Sequence, residues 1–333
     1  MTEQTTSKAI EADRVADALP NSWVYRILPN WLVPYAQLAR WDRPIGWWLL
    51  LWPCWWSLAL ATGTFFQDPV IRGSWDYFLP PLLTAALAFL IGAVAMRGAG
   101  CAYNDFVDKN IDSKVARTAS RPLPSGRVTR LQVFVFIVLQ ALVGLGVLIF
   151  LSTFKGGFNQ FAFVLGLLSL TTIAAYPFAK LITNWPQFVL GLAFSWGALM
   201  GWAVLFDDLH IAPLVLYGGC IFWVIGYDTI YAHQDREDDA LVGVKSTALL
   251  FGKQTKPALV VLYTLAAGCM AVAFHFAGAG IFAFAGLAVG AGHMVWQVAT
   301  LDIDDGDRCL ALFQSNTVFG WIVLVGLLVD IGF

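Results

Sequence analysis

The sequence predicts an all-α integral membrane protein: a bundle of about nine transmembrane helices, N-terminus in the cytosol, with two polar cytosolic loops capping a central cavity. Three observations carry this. Of 333 residues, 59% are apolar and only 13% charged, against about 25% charge in a soluble domain. A single soluble core stops growing near this length, so the excess apolar surface calls for lipid as the solvent. Finally, the apolar runs and the basic residues alternate along the chain in a membrane-like way.

Residues 1–35 are expected to be a cytosolic and interfacial tail, and 36–333 a single transmembrane domain. The tail carries Glu3, Glu11, Asp13 and Asp17 and lacks an early apolar core, so it reads neither as a secretory signal nor as an acid-poor transit peptide. Ile27–Tyr35, with Trp31 and Tyr35, is expected to lie in the interface. Spans of about 20 apolar residues are expected at 45–65, 78–103, 130–152, 161–180, 187–206, 211–231, 256–277, 280–300 and 310–331. The first opens on Trp47, Trp48, Trp52, Trp55 and Trp56, an aromatic belt at the interface or a wall of rings lining a cavity. Long polar segments follow at 104–129 and 232–255. With nine spans, all basic residues but Arg72 and Lys155 fall on one side. The positive-inside rule puts that side in the cytosol and the C-terminus outside. The acidic N-terminal stretch favours a bacterial inner membrane over a mitochondrial one. A net charge of −2 gives no reason to expect nucleic-acid binding. Cys54, Cys101, Cys220, Cys269 and Cys309 are scattered, and they read as small apolar packing residues rather than disulfides or zinc ligands.

Two acidic motifs stand at the cytosolic ends of even-numbered spans. In the first, residues 100–126, Asn104, Asp108 and Asp112 recur at i, i+4 and i+8, one face of a helix if the second span continues through them. Asp105 points to a neighbouring face. Carboxylates there repel one another and oppose the helix dipole, so a divalent cation would stabilise them. In the second, residues 226–252, Asp235 and Asp239 repeat the Asp-x₃-Asp spacing. Tyr227, Asp228 and Tyr231 continue the stripe toward the membrane. The two acidic faces are expected to meet across the bundle. All-oxygen donors suit Mg²⁺, which is commonly bridged to substrate phosphates. Arg40, Arg43, Arg97, Lys114, Arg117, Arg121 and Lys245 lie near the same membrane face and would bind a diphosphate's remaining oxygens. His233 reads as a helix-surface residue, with a late proton acceptor as the alternative.

On these residues the chain resembles the UbiA family of intramembrane prenyltransferases. The N-D-x-x-D-x-x-x-D signature stands as Asn104, Asp105, Asp108 and Asp112, followed by Arg121–Gly126. The second signature is Tyr227–Ala232 with Asp235–Asp239, then Lys245–Ala248. Arg43–Gly46, Leu49–Pro53 and Tyr176-Pro177 also fit. The resemblance covers about residues 35–333 and looks most like the branch that prenylates 4-hydroxybenzoate in ubiquinone synthesis. It implies a polyprenyl diphosphate and a small aromatic acid as substrates, within membrane lipid. It assigns Asn104, Asp108, Asp112, Asp235 and Asp239 to Mg²⁺ and diphosphate, with Tyr176 and Lys180 at the substrate. Many members carry Lys-Arg after Tyr-Pro-x-x, whereas here Lys180 is followed by Leu181. The implied chemistry is electrophilic aromatic substitution by an ionised allyl group. The alternatives are another acceptor (homogentisate, dihydroxynaphthoate, chlorophyllide or haem), or a cation transporter, which should instead hold its carboxylates near mid-membrane on broken helices.

Overall fold

The computed structural model describes residues 15, 22–68, 75–113 and 116–332, without the side chains of residues 75, 111, 116, 117, 238, 239 and 242. Among the described residues there are helices and no strands. Two short helices, α1 (Val24–Ile27) and α2 (Val33–Leu38), precede the first span. Then come α3 (Ile45–Phe65), α4 (Trp75–Asp112), α5 (Ala116–Ala119), α6 (Arg130–Thr153) and α7 (Gln160–Ile182). The fifth span is split into α8 (Pro186–Phe194) and α9 (Gly197–Phe206), and α10 is Ile211–Ala232. The cap of the second polar loop holds α11 (Arg236–Val242) and α12 (Thr247–Phe251). The chain ends with α13 (Thr255–Phe276), α14 (Ile281–Thr300), α15 (Gly306–Gln314) and α16 (Asn316–Gly332).

Nine stretches among the described residues are long and apolar enough to cross a membrane, as expected. Three details differ from the expected spans. The second helix does not stop at 103 but runs to Asp112, because no Gly or Pro interrupts the acidic run. The fifth and ninth spans are each broken, at Ser195–Trp196 and at Ser315. Cap chemistry fixes several starts: Asn159 accepts from the Ala162 N–H, Ser246 from Leu249 and Asp305 from Arg308.

The described chain divides into two compact units. One holds residues 1–47 with 91–146, the other 48–90 with 147–333. In the first, buried Leu38, Ala102, Leu123, Val128 and Val133 form a core, with Tyr35 and Phe106 packed against it. The expected interfacial segment is therefore mixed: Trp31 is exposed, but Tyr35 turns inward and meets the Phe136 ring at 5.8 Å. Outward, α6 exposes Leu131, Phe134, Leu139 and Leu142, the pattern of a lipid-facing helix.

In the second unit, helices approach through small residues, the usual device where lipid removes the hydrophobic drive between helices. A Cβ on Gly286 would stand 2.8 Å from the Gly326 Cα. A Cβ on Gly226 would run into the Tyr263 ring, so α10 and α13 touch there. The tryptophans of α3 are not a simple belt. Trp52 and Trp56 are fully buried, and Trp48, Trp52 and Trp55 pack with Trp321 of α16 at 5.0–6.2 Å between rings. Cys54, Cys101, Cys220 and Cys309 are buried and Cys269 partly so, all as free thiols, in line with packing roles.

Candidate active site

The first acidic motif lies wholly on α4. Helical geometry puts Asn104, Asp108 and Asp112 on one face and turns Asp105 aside. Asp105, Asp108 and Asp112 are all buried, which is costly for a carboxylate unless cations pair with it. Two arginines do so. The Arg40 guanidinium donates to Asp105 Oδ1 at 2.6 Å and to the Gln37 carbonyl at 2.8 Å. Arg40 takes a left-handed backbone, φ 59°, a strained setting for a side chain that the two bonds hold in place. Arg121 Nη1 reaches Asp105 Oδ1 and Asp112 Oδ2, each at 3.2 Å, and so spans two turns of α4. The Arg-Pro-Leu-Pro-Ser-Gly turn delivers it: Ser125 Oγ donates to the Arg121 carbonyl at 2.7 Å, and Gly126 takes φ 78°.

A second polar layer lies beside it. Asp42 is fully buried; its Oδ1 accepts from Arg43 Nε at 3.3 Å and its Oδ2 from the Tyr25 hydroxyl at 3.1 Å. Gln37 Nε2 donates to Tyr25 at 3.1 Å. Burial, and then the Asp42 charge, push the Tyr25 phenol up to about 12. Arg97 lies so close over Gly46, in the first turn of α3, that a Cβ there would meet its guanidinium and oblige it to shift. Lys114 and the side chain of Arg117 lie outside the described residues.

The donors suit Mg²⁺. Asn104 Oδ1 and Asp105 Oδ2 are buried and lack a hydrogen-bond partner among the described residues. All are hard oxygens, and Mg²⁺ typically takes only one or two carboxylates, the rest being water and phosphate. Among the described residues, no three His, Cys, Asp or Glu converge on one point.

The second motif starts on α10. Tyr227 is buried, edge-on to Trp223 at 5.0 Å and facing Phe313 at 5.7 Å. Tyr231 lies 4.6 Å from the same Phe313 ring. Asp228 and Asp235 are half-buried, and the side chain of Asp239 lies outside the described residues. His233 is not on the surface. It is buried, with Nε2 3.0 Å from the Thr255 hydroxyl, because the helix tightens into a short 3₁₀ turn at His233–Asp235 and rolls the ring inward. Lys245 is occupied by local bonds: its N–H donates to the Lys180 carbonyl at 2.9 Å and its ammonium to the Ile182 carbonyl at 3.1 Å, closing the end of α7. Tyr176 and Lys180 are both half-buried on α7. Thr247 shares a 2.6 Å hydroxyl bond with Thr229, and its N–H donates to Gln187 at 3.0 Å. Asp42 and Gln187 escaped the sequence reading, and Thr229 and Thr247 entered it only as members of the Tyr227–Ala232 and Lys245–Ala248 runs. The signal is an acid between basic residues for Asp42 and a lone amide at the start of an apolar run for Gln187.

Fold and site define an integral membrane protein with two acidic helix ends, one of them held by buried arginines. The chain belongs to the UbiA prenyltransferase family, whose model matches residues 50–323. It is 44% identical over 315 residues to the mitochondrial 4-hydroxybenzoate polyprenyltransferase of Arabidopsis thaliana, covering 94% of this chain and 72% of that one. To the Bos taurus protein of the same name it is 42% identical, over 90% of this chain and 76% of the other. Among solved structures, a UbiA homologue from Aeropyrum pernix K1 matches with a TM-score of 0.66 at 24% identity, over 85% of this chain and 97% of that one. A UbiA homologue from Archaeoglobus fulgidus bound to GPP and Mg²⁺ matches at 0.58 and 16%, over 90% and 100%.

Proposed function

We propose that this protein transfers a polyprenyl group from polyprenyl diphosphate to the ring carbon ortho to the hydroxyl of 4-hydroxybenzoate, releasing diphosphate, as a step of ubiquinone synthesis. The observation that carries this is the 44% identity to a named 4-hydroxybenzoate polyprenyltransferase over nearly the whole chain. The allylic C–O bond breaks, a ring carbon–carbon bond forms, and the ring proton leaves. Mg²⁺, when bound, supplies charge neutralisation for the departing diphosphate; the Archaeoglobus homologue with GPP and Mg²⁺ supports that requirement. Asn104, Asp108, Asp235 and Asp239 would hold it. Asp112 and Asp105 serve this set through Arg121 and Arg40, which keep the acidic face buried and charged. Of the remaining basic groups, Arg43 and Arg97 are assigned to the diphosphate, with Asp42 and Gly46 setting their side chains. The rings of Tyr227 and Tyr231 offer π-faces to an allylic cation, and their packing excludes water that would quench it.

The nine spans make the protein an integral membrane one. Its named relatives are mitochondrial, not bacterial, and so favour a mitochondrial membrane over the bacterial one expected from the acidic N-terminal stretch. We place both acidic motifs on the cytosolic or matrix side, on the basic-residue asymmetry. The test is purified protein in detergent with a prenyl diphosphate, 4-hydroxybenzoate and Mg²⁺. A product heavier than the acid by one prenyl group is expected. Turnover of homogentisate but not 4-hydroxybenzoate would overturn the acceptor; no diphosphate release with any aromatic acid would overturn the reaction.

A further inference from the structure

The ninth span is interrupted inside the apolar stretch, and what fills the break points back at the second acidic motif. Helix α15 ends at Gln314 and α16 begins at Asn316. A break in a spanning helix frees carbonyls that lipid cannot satisfy. Here they are satisfied by two fully buried amides. Gln297 Nε2, from α14, donates to the Leu312 carbonyl at 3.0 Å and to Ser315 Oγ at 2.9 Å. Asn316 Nδ2 donates to the Phe313 carbonyl at 3.0 Å and to that of Leu312 at 3.3 Å. Asn316 has one acceptor left, and Oδ1 takes the indole N–H of Trp223 at 2.9 Å. Trp223 is fully buried on α10, one turn before Tyr227 and two before Tyr231.

The rest of α15 continues the contact along the same helix. Cys309, Leu312 and Phe313 form its buried face, and the Phe313 ring sits against both Tyr227 and Tyr231. The turn before α15 reaches the end of the motif, where Asp304 accepts from Arg236 at 2.9 Å. That last pair is exposed on the Asp304 side and weak; the buried amide bond is the directional one. It leaves neither a vertical slide nor a rotation of α10 free, since either would strand the Trp223 N–H or the Asn316 oxygen in an apolar surround.

We infer that Asn316 is a positioning residue for the reaction: through Trp223, and with Phe313 as the packing partner of Tyr227 and Tyr231, it sets the height and rotation of α10, and with them the placement of Asp228 on that helix and of Asp235 in the 3₁₀ turn that follows it. This deepens the proposed function and rests on it for the reaction, but not for the mechanics of α10. The broken ninth helix is then a brace for the acidic end of the sixth span.

The experiment compares the full chain with Asn316→Leu, Trp223→Phe and the double variant, in detergent. Two readouts are taken. The first is amide hydrogen exchange without Mg²⁺ or substrate, which stands even if the acceptor assignment fails. Segment 224–235 should lose protection in each single variant while 281–296 keeps it. The second is the Mg²⁺ concentration giving half the maximal rate of 4-hydroxybenzoate prenylation. It should rise about tenfold, the low end for groups that orient metal ligands, with KM for the acid unchanged. The double variant should be no worse than the worse single one, because removing both partners strands neither. Trp223→Phe keeps the ring and protects the test against misfolding of Asn316→Leu. Unchanged Mg²⁺ dependence with rate loss tracking the folded fraction would overturn the inference, as would losses that multiply in the double variant. Wild-type protein that prenylates no aromatic acid, with 224–235 still loosened in the variants, would instead overturn the proposed function and leave the brace standing.

Discussion

The two acidic motifs share the Asp-x₃-Asp spacing but are held by different physics. On α4 the carboxylates are buried and met by guanidinium groups: Arg40 on Asp105, Arg121 on Asp105 and Asp112. In the second, Asp228 on α10 and Asp235 in the 3₁₀ turn after it are half-buried, and α10 is fixed by rings and neutral hydrogen bonds through Phe313, Asn316 and the Thr229–Thr247 pair. The first motif has two guanidinium partners built in before any ligand arrives. The second has its position built in. Identical spacing in a sequence therefore says little about what pays the cost of placing charge there.

The largest expected effect is on the charged side of that contrast. Arg121→Leu leaves Asp105 and Asp112 facing each other in a buried setting with one cation gone. Breaking a buried pair from one side typically costs about 3–5 kcal/mol, so thermal unfolding in detergent should shift strongly downward and activity should vanish. Arg121→Lys keeps the charge but replaces the planar guanidinium with a point donor, and should fall between. Wild-type stability in Arg121→Leu would mean that the arginine only decorates the motif.

Next come the proposed metal ligands. Asp108→Asn and Asp235→Asn each remove one charge while keeping shape. Each should lower kcat by about 10²–10³, the usual loss for one electrostatic contact to a reacting group, and raise the Mg²⁺ requirement. The two together should cost clearly less than the product, as residues acting as one unit do. Multiplicative losses would separate the motifs into independent sites. A single variant with full activity at unchanged Mg²⁺ would return that acid to an ordinary surface role.

Much of this was legible in the sequence, and the failures share a cause. Spans follow from composition, because lipid enforces about 20 apolar residues whatever the neighbours are. The α4 face follows from spacing, because a continuing helix leaves no choice. Arg121 was visible as a basic group near the acids, but not its bridging of Asp105 and Asp112, which depends on how the Pro122–Pro124 turn folds back. The breaks at Ser195 and Ser315 were illegible because no proline or charge marks them; at Ser315 the Gln297 and Asn316 amides satisfy the carbonyls of Leu312 and Phe313, and before Ser195 the Tyr217 hydroxyl donates to that of Leu192. His233 looked exposed because a helix-period reading does not anticipate a 3₁₀ turn.

A smaller effect tests the neutral side of the comparison. Gln187→Leu removes the acceptor of the buried Thr247 N–H and should cost about 1–3 kcal/mol, the penalty for a stranded buried donor. Thr247→Val removes only a hydroxyl, since Thr229 keeps its 2.6 Å bond to the Ile225 carbonyl, and should cost about 1 kcal/mol. Chemical unfolding followed by helix content would rank them; equal losses would mean that the Lys245–Ala248 run is not docked through its backbone.

The smallest effect concerns the position where this chain departs from its family pattern. Leu181 stands where many members carry arginine, and half of its surface is exposed. It lies in the last turn of α7, where the negative end of the helix dipole favours a cation. Lys245 already meets one terminal carbonyl there, that of Ile182. An arginine at 181 would therefore add a further favourable charge beside Lys180 and Lys245 without displacing a buried group. Leu181→Arg should stabilise by about 0.3–1 kcal/mol, with the gain shrinking as salt is raised, and should leave KM for both substrates near wild type. If the variant instead lowers KM for the prenyl diphosphate severalfold with no change in stability, the family arginine is a substrate contact. The end of α7 would then join the charged, ligand-facing side of the comparison rather than the structural one.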